Sequence, residues 1–367
     1  MAARAPDEAE LGRMRALVAQ AMCEGAVGFS AGLYYAPQSF SEPDEVIALA
    51  REAAIRGGLY ESHLRDESSD NVGLLNAVQE ALRIGREADM PVHFAHIKAQ
   101  GVDVHGQSSQ FIALIEAELA AGRRVTADQY PWSASGTRVS NALIPRWTQE
   151  NGGLSAMRQR LADPDLDVRI RAEIADNIRR RGGPDSLLIT SGEYRGQRLN
   201  EVAAALGVDP VEAARRIALA GDARLASFNM HEDDIRNFMI QPWVVTSSDA
   251  TQGHPRRFGS FAMKWARFVR DERLISVEQF IHRSSALTAE IFGLEGRGYL
   301  REGYAADIVA FDPRRYEARS TYEEPELYAE GVHYVLVNGV LAIDRGRATG
   351  ALAGHALARR PPEGACP

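Results

Sequence analysis

Along the first third of the chain, apolar positions recur at helical spacing, then gather into short continuous runs, and the two patterns take turns. Residues 8–22 set Leu11, Met14, Leu17 and Val18 on one face, with Asp7 as N-cap and Glu10 as its capping-box partner. GAVGFSAG follows as a buried strand bracketed by Gly25, Gly28 and Gly32. SEPDEVIALAREAAIRGG returns to helical spacing through Val46, Leu49, Ala50 and Ala53, with Ser41 or Asp44 as its cap. LYESH is a strand. The next helix turns Val72, Leu75, Val78 and Leu82 inward. PVHFAHIK, the helix SSQFIALIEAELAAGR and the strand RVTADQYPW complete the series. Apolar strands alternating with amphipathic helices predict a parallel sheet covered on its faces.

From Ser133 the pattern changes to charge-rich helical pieces around one strand, SLLITS. RLASFNM and WVVTSSD then read as strands, the second ending on Asp249, and further helices follow. The tail alternates as short β runs, with Asn338-Gly339 as a hairpin signal. The expected organisation is 1–132 for four β/α units, 133–222 for a mainly helical insertion, 223–295 for a further strand and closing helices, and 296–367 for a β module. A chain of 367 residues fits one β/α barrel with an appendage.

Composition narrows the function classes. A net charge of −8 disfavours a nucleic-acid or membrane-surface role, since both need a basic face. No apolar run is long enough to span a bilayer. Cys23 in a helix-like segment and Cys366 in the tail predict two free thiols and a reducing cytoplasm. GAVGFSAG lacks the G-x-G-x-x-G spacing of a phosphate loop, and Ser30 is not central in a G-x-S-x-G elbow.

Candidate chemistry falls at strand ends, where parallel β/α folds carry it. His63 and His96 close successive strands about 4.8 Å apart, so both imidazoles can reach one zinc-like ion. Asp249, at a later strand end, is placed to bind a second metal or take a proton from an activated water. Lys98, Tyr130, Arg256 and Arg257 share the rim and suit a substrate carboxylate. Arg65 and His254 are expected to orient the site from behind, together with Asp66 and Glu67 of the RDE run or by touching substrate. His93 is expected to pack beneath.

The stretches GAVGFSAGLYYAP, GGLYESHLRDE, PVHFAHIKAQG, VTADQYPW, WVVTSSDATQGHPRRFGSF, GYLREGYAADIVAFDP and VHYVLVNGVLAIDRGRATGALAGHAL resemble the N-acyl-D-amino-acid deacylases (D-aminoacylases) of the amidohydrolase superfamily. The resemblance implies a partial TIM-like β/α barrel with an insertion and a small C-terminal β-sandwich portion. It implies one tight zinc, sometimes a weaker second metal, and hydrolysis of small N-acyl-D-amino acids to a carboxylate and a free D-amino acid. On it, His63 and His96 match the zinc histidines of barrel strands five and six. Asp249 matches the strand-eight general acid/base, and Lys98, Tyr130 and an arginine of HPRR match the carboxylate grip. The family's first-strand H-x-H or H-x-D and its cysteine ligand have no counterpart here. The chain is therefore expected to begin before strand four, with weaker zinc affinity, and to be completed by another chain or to lack its start. Two other readings remain: an amidohydrolase for cyclic amides such as hydantoins, and a catalytically silent homologue.

Overall fold

The computed structural model describes residues 3–366. Helix α1 (Glu8–Cys23) opens with the expected reciprocal cap: the Glu10 N–H donates to Asp7 Oδ1 at 2.8 Å, and the Asp7 N–H donates to Glu10 Oε2 at 2.9 Å. Then β1 (Gly28–Gly32), α2 (Pro43–Ala54), β2 (Leu59–His63), α3 (Leu74–Ala88), β3 (Val92–Phe94), α4 (Ser108–Ala120) and β4 (Val125–Gln129) follow in strict alternation. The cap of α2 differs from expectation. Glu42 is the N-cap without a side-chain bond, because Ser41 Oγ donates to Glu45 at 3.0 Å instead.

The next strands are β5 (Ala134–Arg138), β6 (Leu187–Ile189), β7 (Arg224–Phe228) and β8 (Val244–Thr246). The main sheet runs β1-β2-β3-β4-β8, parallel throughout, with Gly32 beside His63, Ser62 beside Phe94 and Gln129 beside Thr246. From β1 to β4 each strand neighbours the one before it, as consecutive strands of a β/α barrel do, and β8 pairs with β4 across the intervening segment; the described strands form an open sheet. The helices bury it. Leu74, Val78, Leu82 and Ile84 of α3 are all at most 3% exposed. Phe94, Phe111 of α4 and Phe238 form an edge-to-face series with centroids 5.4 and 5.2 Å apart. Gly85 lets α3 lie against β3, since a Cβ there would overlap the Val92 side chain.

The insertion carries a sheet of its own, β5-β7-β6, antiparallel. Helices such as Asp167–Arg180 and Leu199–Leu206 bury Ile174, Leu199 and Val202 against it. This unit extends to Phe228, past the boundary expected at 222, because β7 pairs with β5 and β6 rather than with β4. The C-terminal module is a single antiparallel sheet, β12-β11-β10-β9, built from β9 (Ile308–Phe311), β10 (Val332–Val337), β11 (Val340–Asp344) and β12 (Arg347–Ala348). Asn338 and Gly339 make its hairpin at φ 50° and 80°, the left-handed pair that a two-residue turn needs.

One expectation is overturned. Cys23 and Cys366 are joined in a disulfide, and no free cysteine remains among the described residues. The tail returns to the first strand: the Arg359 N–H donates to Gly25 O at 3.0 Å, and its guanidinium donates to Val27 O at 3.2 Å. Distance along the chain hid this pairing, and with it falls the thiol argument for a reducing cytoplasm. Among the described residues no helix is long and apolar enough to cross a membrane.

Candidate active site

The C-terminal ends of β2, β3, β4 and β8 converge on one small cavity. His63 is the last residue of β2, and His96 lies two residues beyond β3 at φ 38°. That left-handed turn is pinned by Asp128 of β4, whose Oδ1 accepts the His96 backbone N–H at 3.0 Å. The other oxygen of Asp128 meets His93 Nε2 at 3.1 Å, so His93 supports the turn from beneath as expected. His63 Nδ1 and His96 Nε2 face each other at 2.8 Å.

Glu67, in the loop after β2, joins them. One ligand atom each of His63, Glu67 and His96 lies within 4.8 Å of the others, the one such group of three among the described residues. His63 Nε2 is buried and has no hydrogen-bond partner. Burial pushes His63 down to about 3, keeping it neutral with a lone pair to offer. Burial alone would raise the Glu67 carboxyl, but Lys98 and the two histidines outweigh it and hold Glu67 well below the usual carboxylate range. Burial and Lys98 oppose charge on His96, while Asp249 and Glu67 prevail and draw it upward. Two imidazoles and a carboxylate are a donor set suited to a divalent ion, and the orphaned His63 nitrogen fits that use. Lys98 sits at the same cluster, its Nζ 2.5 Å from Glu67 Oε1 and 2.7 Å from His96 Nδ1.

Opposite stands a second charged pair. Asp249, three residues past β8 at φ 42°, lies 2.9 Å from Arg256 Nη1. The Arg256 guanidinium stacks 4.6 Å from the centroid of the Tyr130 ring, and Lys98 lies 5.7 Å away over the same ring. The Tyr130 hydroxyl is buried and unpartnered, and burial pushes it well above its ordinary value, so it remains a donor. His254 acts as a bracket: its Nε2 lies 3.0 Å from Ala134 O, and its Nδ1 accepts the Arg256 N–H at 3.1 Å. Burial, then the Arg256 charge, push His254 well down, which keeps it neutral for that role.

Two expected residues lie elsewhere. Arg257 is exposed, stacks 5.2 Å from the Phe258 ring and does not line the cavity. Arg65 pairs with Glu80 at 2.8 Å and donates to Ser39 O and Ser41 O, so it ties the loop after β1 to α3.

The insertion roofs the cavity with Gly136, Thr137 and Arg181, met from the other side by Tyr34 and Tyr35. The space between these side chains is about 20 Å³, room for about one water, and it is partly open to solvent. Sequence reasoning left Glu67 undecided and missed Tyr34, Tyr35 and Arg181. Glu67, four residues after His63, carried a signal in its spacing; the others are brought in only by the docking of the insertion.

A sequence profile of the Amidohydrolase family matches residues 1–343. The chain is 35% identical to the N-acyl-D-aspartate deacylase of Alcaligenes xylosoxydans xylosoxydans, covering 95% of this chain and 63% of that protein. It is 32% identical to the D-aminoacylase of the same organism, covering 97% and 66%. The crystal structure of the N-acyl-D-glutamate deacylase from Bordetella bronchiseptica, complexed with zinc and a phosphonate mimic of the tetrahedral intermediate, matches with a TM-score of 0.80 and 33% identity, covering 97% of this chain and 67% of that one. The chain thus spans less than two thirds of the length of these two curated relatives. The profile match takes in every strand of the main sheet and every residue of the cavity, and the chain belongs to the amidohydrolase family.

Proposed function

We propose that this chain hydrolyses the amide bond of small N-acyl-D-amino acids, giving a carboxylate and a free D-amino acid, with zinc held by His63, His96 and Glu67. One observation carries the reading. A three-donor cluster and an acid–arginine pair face each other across a single cavity at the strand ends. Zinc, when bound, polarises the amide carbonyl and activates the attacking water.

The protein's own groups do the rest. Arg256 and the Tyr130 hydroxyl receive the substrate carboxylate, with Lys98 adding a point charge. Arg256 is held by Asp249 at rest. An incoming carboxylate replaces Asp249 on the guanidinium and leaves Asp249 facing the scissile amide. Asp249 then takes the proton from water as the C–O bond forms and passes it to nitrogen as the C–N bond breaks.

The test combines metal analysis with hydrolysis of N-acetyl-D-amino acids by the purified, zinc-supplemented chain. His63→Ala and His96→Ala should each lose zinc. Asp249→Asn should keep zinc and lose roughly 10²–10⁴-fold in kcat. The proposal is overturned if the wild-type chain binds no zinc and hydrolyses none of these substrates, or if Asp249→Asn retains full rate.

A further inference from the structure

The strand β5 runs from the cavity wall out to solvent. Gly136 and Thr137 line the cavity, and the next residue, Arg138, is exposed. A Cβ on Gly136 would meet Thr251, His254 and Arg256 at 3.4 Å or less, so this face of β5 is turned to the loop after Asp249. Alternation puts Arg138 on the same face, two residues or roughly 7 Å further along the strand. Directly opposite it, in the antiparallel register of β5 with β7, stands Arg224. The Arg224 Nη1 donates to the Thr251 hydroxyl, so the pair is turned to the same loop.

Like charges directly opposed across a strand pair weaken it, and here little offsets them. Among the described residues no Asp or Glu oxygen comes within 4.0 Å of the Arg224 guanidinium. Asp222 lies 3.9 Å from Arg138 but is already engaged. Its oxygens accept the Ser140 N–H at 3.0 Å, the Ala223 N–H at 2.9 Å and the Ser140 hydroxyl at 2.6 Å. Burial, then the charges of Arg138 and Arg256, push the Arg224 guanidinium below its ordinary value, so three cations act on one another at this rim. A local positive field gathers anions where the chain as a whole, at −8, repels them. We propose that Arg138 and Arg224 form a docking site for a carboxylate anion at the rim of the cavity, where the substrate's own carboxylate is held before it moves on to Arg256. The ligand is the carboxylate that every N-acyl-amino acid carries, whatever its side chain. This rests on the deacylase reading above.

The competing role belongs to Arg224, which anchors the loop after Asp249 through Thr251. Arg138, whose ionic partner is Asp222, is not part of that anchor and therefore carries the test. kcat/KM for N-acetyl-D-alanine and its calorimetric binding are measured on the zinc-supplemented chain for wild type, Arg138→Glu and Arg138→Gln. Each is measured at about 10 mM and about 0.5 M ionic strength, with thermal unfolding alongside. Glutamate at 138 faces Arg224 as an opposite charge, so Arg138→Glu should melt no lower than wild type. At low salt it should lower kcat/KM and affinity by about three- to tenfold, and Arg138→Gln by less. The differences should close at high salt, where exposed charges are screened. A clearly lower melting temperature in Arg138→Glu would mean that the pair serves the fold, and overturns the docking role. Turnover in wild type with equal kcat/KM in Arg138→Glu at low salt, or a loss that salt does not change, overturns the docking site and leaves the deacylase reading standing. Salt-dependent loss of N-acetyl-D-alanine binding in Arg138→Glu, without turnover by wild type, keeps the docking site and sinks the deacylase reading. Neither binding nor turnover by wild type overturns both.

Discussion

Lys264 is fully buried, and its Nζ has no hydrogen-bond partner. Burial, then the Arg283 charge, push its ammonium down to about 7, against a weaker upward pull from Asp128. The unfolded lysine titrates near 10.4. Between these values the unfolded chain binds the proton and the folded chain does not, so this residue destabilises the fold increasingly as pH falls from about 10 to about 7. Lys264→Met should raise the melting temperature at pH 8, and the gain should shrink as pH approaches 10. A gain independent of pH would show that the methionine merely packs better. Nothing in the sequence marks Lys264, since its neighbours read as an ordinary amphipathic run. His63, His96 and Asp249 were legible because strand ends are where this fold presents side chains. Lys98 was legible as a site residue, yet its contact with Glu67 was not, because that pairing depends on how two loops fold over each other.

At the scale of elements, some periodic segments carried their own boundaries, while the cap of α2, the end of β3 at Phe94 and the start of α3 at Leu74 departed from the expected ones. Asp7 with Glu10 and Asn338 with Gly339 specify their turns through local hydrogen bonds and φ values, which sequence alone encodes. Partner choice was not local: β7 reads as a strand, but its antiparallel place between β5 and β6 comes from the insertion folding around its own core. Helix α1 makes the same point. Its predicted apolar face exists, yet Leu17 stays 65% exposed and only Met22 is fully covered. By contrast Phe111 of α4 is wholly enclosed between Phe94 and Phe238. Phe111→Ala should destabilise the main sheet by about 3–5 kcal/mol, read from denaturant unfolding. Leu17→Ala should change stability by less than about 1 kcal/mol. Similar effects from the two substitutions would mean that the α4 face is not the core.

At the scale of the whole molecule there are three layers of organisation: a parallel sheet that supplies the donors, an insertion that covers them, and a tail that comes back to the start of β1, at the opposite end of the strands from the cavity. The first was visible as alternating periodicity; the other two are long-range contacts that periodicity does not contain. The bond between Cys23 and Cys366 gives the last of these a consequence for topology. Residues 23–366 form a closed covalent loop, so a single protease cut anywhere within it opens the ring without releasing a piece. Limited trypsin digestion should leave one band near 40 kDa on a non-reducing gel and two smaller bands after reduction. Fragments that separate without reductant after a single cut would rule the ring out. Opening it by reduction should also lower the unfolding free energy, by about 2–5 kcal/mol for a native bridge. A nicked molecule of this kind can keep its strand ends, roof and cavity in register, so that cleavage of the chain and loss of the site become separate events.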